Sequence, residues 1–305
     1  MKNIINYFIL LVSFMPASLQ ACDICGCSAG GISGGLFPQI QNNMGGVRYS
    51  GLMYLHPTKN PNFNGNSQLV KDAYHDAEAF IRWFPAPRWQ FWVNVPYSFR
   101  IREESLRSTL IKGIGDLRFN AFYSLLKRDS TSYRFRHLLL AGAGISLPTG
   151  KYQQRDETLV MLPIGFQIGT GSWSGSLRLI YMLQFRNAGL IAQGAYRSYS
   201  VNERLFKKGD IADAGLSLFR TFNLNSNTRL FLHAGYKSEL LSEDIEYSIR
   251  KPDSGSLSGW MNFSADLIRS PFLLSLSSDI PTFMQYNGNQ PLPGLRTAIS
   301  LALIW

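Results

Sequence analysis

The chain is poor in charge. Only 16% of its 305 residues are Asp, Glu, Lys or Arg, against about 25% in ordinary soluble domains. It is poor in cysteine: three, all between positions 22 and 27, so no disulfide framework can staple the rest. After residue 21 no apolar run of 18 residues occurs, which excludes a helical membrane protein. The net charge is +10, but the basic residues stand singly among apolar neighbours, so nucleic-acid binding is not expected. Catalysis is not expected either. No nucleophile elbow or metalloprotease motif is present. Of the four histidines, His75 precedes Asp76 directly, which on a strand sends the two side chains to opposite faces. His137 opens an apolar run, and His233 shares a face with Arg229 and Lys237.

Aromatics and glycine are abundant: 20 Phe, 14 Tyr, 6 Trp and 27 Gly. Low charge with many aromatics fits a protein that meets lipid on one face and water on the other. At the N-terminus, Lys2, the apolar stretch Ile4 to Met15 and the region Pro16 to Ala21 read as a secretory signal peptide covering 1–21.

Past Gly45 the chain falls into segments of roughly ten to fourteen residues with period-two alternation, the mark of two-faced strands. Trp89, Phe91, Val93, Val95 and Tyr97 share one face, and Arg88, Gln90, Asn94, Ser98 and Arg100 the other. Asp116 and Arg118 oppose Leu117 and Phe119, Arg178 opposes Leu177 and Leu179, and Arg296 opposes Leu295. Strands are expected near 45–56, 72–84, 88–101, 114–127, 133–148, 172–185, 189–201, 211–222, 228–240, 256–268, 271–281 and 294–305. The links between them alternate short and long, as in outer-membrane barrels. The segment 158–169 also has a strand-like sequence, but counting it breaks the alternation, so it is assigned to the long link 149–171. The expected fold is all-β: an antiparallel transmembrane β-barrel of about twelve strands over 45–305, in the outer membrane of a Gram-negative bacterium. A Cys- and Gly-rich periplasmic segment, 22–44, precedes it. Trp83, Trp89, Trp173 and Trp305 suit the interfacial aromatic girdles.

Four stretches carry a family resemblance. Gly113-Ile114-Gly115-Asp116-Leu117-Arg118, Gly144 to Tyr152 with its Leu-Pro-Thr-Gly-Lys core, Gly169-Thr170-Gly171-Ser172-Trp173, and Pro281 to Gln290 resemble, in order, motifs of the outer-membrane transporter family named for the meta-cleavage pathway of phenol degradation. The resemblance spans about 45–305 and implies an outer-membrane transporter. It assigns no substrate. Gly, Pro and Asp in these motifs also suit turns and loop boundaries for backbone reasons alone.

The cluster Cys22-Asp23-Ile24-Cys25-Gly26-Cys27 admits three readings. Leu19-Gln20-Ala21-Cys22 resembles a lipobox, which would lipidate Cys22. Cys22, Cys25 and Cys27 together could hold a soft metal, Cu or Zn, through thiolates. In an oxidising periplasm two of them could instead form a disulfide.

The functional expectation is a porin-like channel or transporter for small solutes, anionic or aromatic, through a cationic lumen lined by Arg88, Arg100, Asp116, Arg118, Arg178 and Arg296. The alternative is a non-conducting anchoring barrel that presents the cysteine segment to a periplasmic partner. Other expected partners are outer-membrane lipid and the barrel-assembly machinery, through the strand ending in Trp305.

Overall fold

The computed structural model describes residues 40–59, 67–104, 107–128, 135–155, 159–288 and 290–305. The signal peptide and Cys22, Cys25 and Cys27 lie outside the described residues.

Twelve strands form one closed antiparallel barrel. They are β1 (Met44–Lys59), β2 (Ser67–Ala86), β3 (Trp89–Glu104), β4 (Arg107–Ile114 continued by Leu117–Arg128), β5 (Phe135–Leu147) and β6 (Ser174–Phe185). There follow β7 (Ala188–Tyr199), β8 (Ile211–Asn225), β9 (Thr228–Leu241), β10 (Ser256–Arg269), β11 (Phe272–Tyr286) and β12 (Leu292–Ile304). Each strand pairs with the next, and β12 closes on β1 from Met44↔Ile304 to Leu55↔Leu292. Closure leaves no unpaired sheet edge among the barrel strands, as a lipid environment requires. Both barrel ends lie on the side of the short turns, where the Trp305 N–H donates to the Asn43 carbonyl.

All twelve expected strands are present. The expected long links 57–71 and 102–113 are mostly strand. Beyond Leu55, β1 keeps pairing with β2 up to Lys59↔Ser67, although its pairing with β12 has ended. Arg107–Ile114 likewise pairs with the end of β3. These hairpins rise as wings, because a two-stranded ladder continues wherever both chains stay extended. The segment 158–169 is no barrel strand. Its described part lies in the link between β5 and β6, with a short 3-10 turn at Ile164–Phe166.

The outer face is apolar. Val47, Leu177 and Leu218 are 59%, 65% and 65% exposed, with Leu216, Phe263, Leu301 and Leu303 also open. Soluble monomers rarely expose apolar patches beyond a few hundred Å²; a continuous band around a closed barrel is a lipid-facing surface. Trp83, Phe91, Trp89 and Tyr123 form a chain of ring contacts near the short-turn end. Trp173 is exposed near the opposite end.

The inner face adds an apolar layer to the expected charged lumen. Near the short turns it is mostly apolar: Trp92, Phe122, Leu138, Met182, Ile191, Phe219 and Leu273 belong to one buried cluster, joined by Ile40 and Met44 ahead of and at the start of β1. The cluster surrounds the buried Arg82, whose Nε donates to Gln90 and whose guanidinium lies against Trp92. The inward positions change character along each strand. On β6, Arg178 is followed two residues later by buried Ile180 and then Met182. Alternation sets which residues point inward, but not whether that end of the lumen is wet.

Candidate functional site: a charged lumen under an inward loop

Above the apolar cluster lies a belt of charged side chains. Strand β2 supplies its acids at period two, since Asp72, Asp76 and Glu78 share the inward face. Arg118 pairs with Glu78, as does Arg48 at 3.6 Å, and the Asn94 amide donates to Glu78 at 2.9 Å. Arg100 pairs with Asp76 at 2.9 Å, and its guanidinium stands 4.9 Å from the Tyr74 ring centre. Arg102 grips Asp72 bidentately, at 2.7 and 2.6 Å. On β12, Arg296 reaches Glu239 at 3.1 Å and Asp279 at 3.4 Å, and lies over the buried Trp260 ring. His233 and Asp266, both buried, stand 3.4 Å apart. Buried charges at this density persist because they neutralise one another and share hydrogen bonds.

Of the six residues expected to line the lumen, Arg100, Arg118, Arg178 and Arg296 are on inward faces of the barrel wall. Arg88 is not. It sits in the tight turn between β2 and β3, exposed, with Nη1 3.4 Å from the Tyr123 hydroxyl. The alternation that would send it inward begins only at Trp89, after the turn. Asp116 plays a different part. It follows Gly115 at the break in β4, and its carboxylate gathers three donors: the Gly150 N–H at 2.9 Å, the Thr170 N–H at 3.0 Å and the Thr170 hydroxyl at 2.8 Å. Thr149 adds a bridge: its hydroxyl donates to the Gly115 carbonyl and accepts from the Leu117 N–H. Three motifs far apart in sequence, around 113–118, 144–152 and 169–173, therefore meet at one carboxylate. Glycine is required here, because a Cβ on Gly169 would lie 2.2 Å from the Gly150 carbonyl oxygen.

What Asp116 ties down are the two ends of the loop 148–173. Its described residues from 160 to 169 fold inward. Phe166 is 1% exposed and packs with Ile111, Leu162 and Ile168. The Tyr74 hydroxyl donates to the Gly165 carbonyl at 3.2 Å, and the Arg102 guanidinium covers the Phe166 ring at 5.0 Å. The Gln167 side chain holds the loop to itself, accepting from the Gln154 N–H and donating to the Gln154 and Leu162 carbonyls.

At the rim, Asp210 accepts from the hydroxyls of Tyr196 (2.7 Å) and Ser198 (2.9 Å) and pairs with Lys207. Burial opposes its ionisation, but these donors outweigh that cost and hold its carboxyl below the usual range. Asp244, more deeply buried, is pushed up by desolvation, although the Gly209 N–H donates to it. His75 and Asp76 diverge as expected: His75 meets the Tyr49 hydroxyl on the outer side, while Asp76 faces Arg100. The carboxylates Asp72, Glu78, Glu239 and Asp279 were not singled out from sequence, and Asp76 only as the neighbour of His75. The period-two acids of β2 were the available signal.

A closed twelve-stranded barrel with an apolar belt outside and charge within defines an outer-membrane β-barrel. Among solved structures, the COG4313 outer membrane channel from Pseudomonas putida F1 superposes with a TM-score of 0.64 at 14% identity, covering 96% of this chain and 100% of that one. The beta domain of the Bordetella autotransporter BrkA follows at 0.48 and 12%, covering 86% of this chain and 99% of that one. The first likeness is one of fold. No protein-family model and no curated protein sequence matches the chain.

Proposed function

We propose that the chain is an outer-membrane channel for small anionic solutes, and that it belongs with the transporter family whose motifs it resembles. The observation that carries this reading is the charged belt itself, set in the lumen with Arg178 among its cations. A barrel of eight strands fills its interior with side chains and sixteen leave an open channel; twelve fall between. A purely structural barrel has no need of buried arginines, which are costly unless something charged or wet meets them. The meeting of three motifs at Asp116 supports the family reading, since it gives residues scattered over the sequence one shared task. In this reading the loop 148–173 sets the width of the lumen, lipid surrounds the outer belt, and the strand ending in Trp305 engages the assembly machinery. His75 and Asp76, the adjacent pair in sequence, face opposite sides of the wall and do not form a dyad.

The test is planar-bilayer conductance under a potassium chloride gradient. A reversal potential of the sign set by chloride supports the proposal, because a lumen of net positive potential concentrates anions. Cation preference, or no conductance from correctly folded protein, overturns it. The apolar cluster at the short-turn end favours the second reading, a non-conducting barrel that presents its N-terminal segment to a periplasmic partner. Absent conductance, together with partner binding that is lost in Cys25→Ser and Cys27→Ser, would select that reading.

A further inference from the structure

We propose that the lumen under the inward loop holds a binding site for small carboxylates bearing an apolar body, a single ring in size, with Arg178 and Arg118 receiving the carboxylate. This rests on the channel reading and adds to it the class of solute that is held.

Arg178 is the exception in the belt. Its in-register neighbours are Gly142 on β5 and Ala195 on β7, neither with a polar side chain. Asp213 stands beyond Ala195, one strand further on. Among the described residues the Arg178 side chain makes no hydrogen bond and no ion pair within 4.0 Å, although Asp213 and Glu239 line the same cavity and Asp213 attracts it at longer range. By contrast, Arg100, Arg102, Arg118 and Arg296 each have a carboxylate in contact. Arg118 gives only Nη2 to Glu78, and its Nε has no acceptor. A guanidinium carries five N–H donors in a fork that matches an oxyanion, so both arginines keep unused capacity in a place where unmatched charge is costly.

The cavities in this part of the lumen have two characters, and the apolar one reaches the arginines through a shared wall. One cavity of about 100 Å³ is lined by Arg118, Arg197, Ser146 and Ser174. A second, also about 100 Å³, shares the Arg100, Ile168 and Thr170 wall with the first and is otherwise bounded by Leu52, Tyr74, Ile164 and Leu241. Arg197 also lines a smaller cavity of about 40 Å³ at Arg178, so the arginines border connected walls. An engineered apolar cavity of about 150 Å³ takes benzene, so one ring is the right scale. Both cavities also carry acids, Asp76 in each, with Asp244 in the apolar one and Glu78 and Asp116 beside Arg118; Asp76 is matched by Arg100 and Glu78 by Arg48 and Arg118. An inorganic anion would leave the apolar wall wet, and a neutral ring would leave Arg178 unmatched.

The experiment is calorimetric titration of the folded full-length protein in detergent with benzoate, benzyl alcohol and acetate. Benzoate is expected to bind at least about tenfold more tightly than either, since each lacks one half of the recognition, a charged hydrogen bond or a buried ring. Arg178→Gln removes no observed contact, so the barrel should fold; heat-modifiable gel mobility checks this. It should weaken benzoate about tenfold and leave benzyl alcohol unchanged, while Ile168→Ser should weaken benzoate and spare acetate. Benzoate binding no tighter than acetate, or unaffected by Arg178→Gln, overturns the site. Chloride conductance of the same preparation separates the two readings. Conductance without benzoate binding sinks the site and leaves the channel; benzoate binding without conductance does the reverse.

Discussion

Replacing Asp116 by Ala should free both ends of the inward loop while leaving the barrel intact. The substitution removes three hydrogen bonds from the loop, to the Gly150 N–H, the Thr170 N–H and the Thr170 hydroxyl. A hydrogen bond to a charged acceptor contributes about 1.5–3 kcal/mol. The three are coupled and the site is half-buried, so the freed donors regain water and the net loss is nearer 3 kcal/mol than the sum. At 1.4 kcal/mol per decade, about 3 kcal/mol shifts the balance between docked and released loop ends by roughly a hundredfold. Buried Phe166, Leu162 and Ile168 oppose full release, since each buried apolar side chain contributes about 1.5–3 kcal/mol. The expected phenotype is therefore fluctuation of the loop, not its loss. Single-channel recording should show longer and more frequent high-conductance events, and limited proteolysis should cut within 148–173 far sooner. The thermal transition of the barrel should scarcely move. Asp116→Asn, which keeps one carbonyl acceptor, should fall between. Wild-type current noise and wild-type protease resistance in Asp116→Ala would refute the reasoning.

Three further outcomes are expected. Arg296→Met leaves Glu239 and Asp279 without their shared guanidinium and should cost about 3–5 kcal/mol, seen as a lower heat-modification temperature on gels; Arg229→Met, on an exposed side chain near a turn, should change little. Phe166→Ala opens a void under the loop and should cost about 3–5 kcal/mol; the loss should appear as faster hydrogen exchange in 160–170, with β6 to β9 unaffected. At the rim, pH should act in opposite senses at two carboxyls. Asp210 titrates below its unfolded value, so its contribution is present at neutral pH and is lost as pH falls through the folded value. Asp244 titrates above it, so its contribution grows as pH falls toward the unfolded value, and Asp244→Asn should leave the rim as stable or more stable at pH 7. Hydrogen exchange of 206–211 and 242–256 between pH 3 and 8 reads both, and a loss of protection on Asp244→Asn at pH 7 would contradict the assignment.

The barrel was legible because its two determinants are local. Period-two alternation sets the faces of each strand, and turn residues set where the strands end. All twelve strands came from these two rules. The charge pairs were not legible, since a partner such as Glu239 for Arg296 lies 57 positions away in sequence and depends on the register of three strands. The apolar inner cluster was not legible for a related reason: only closure of the sheet brings Phe122, Leu138 and Phe231, from separate strands, together inside the lumen. Arg88 was misplaced by extending alternation through a turn. Asp116 was noticed, but as one lining group among several. Its three donors come from Gly150 and Thr170, which no periodicity joins to it.

The layering of the lumen also accounts for why these charges can be kept at all. On the short-turn side the belt is bounded by the apolar cluster around Trp92, Phe122 and Phe231, and on the loop side by Phe166 and Ile168. Between them the local dielectric falls and each ion pair strengthens, but so does the penalty on any group left unmatched. A belt built this way holds Arg118, Arg100 and Arg296 rigidly through their carboxylates and leaves Arg178, flanked by glycine and alanine, as the position where a solute can complete the charge balance. Putting an acid at position 195, by Ala195→Asp, should therefore silence the site from within. The new carboxylate would stand in register with Arg178, supply the missing partner, and abolish anion preference in the bilayer while the barrel stays folded. Undiminished chloride selectivity in that variant would show that Arg178 is not where anions are held.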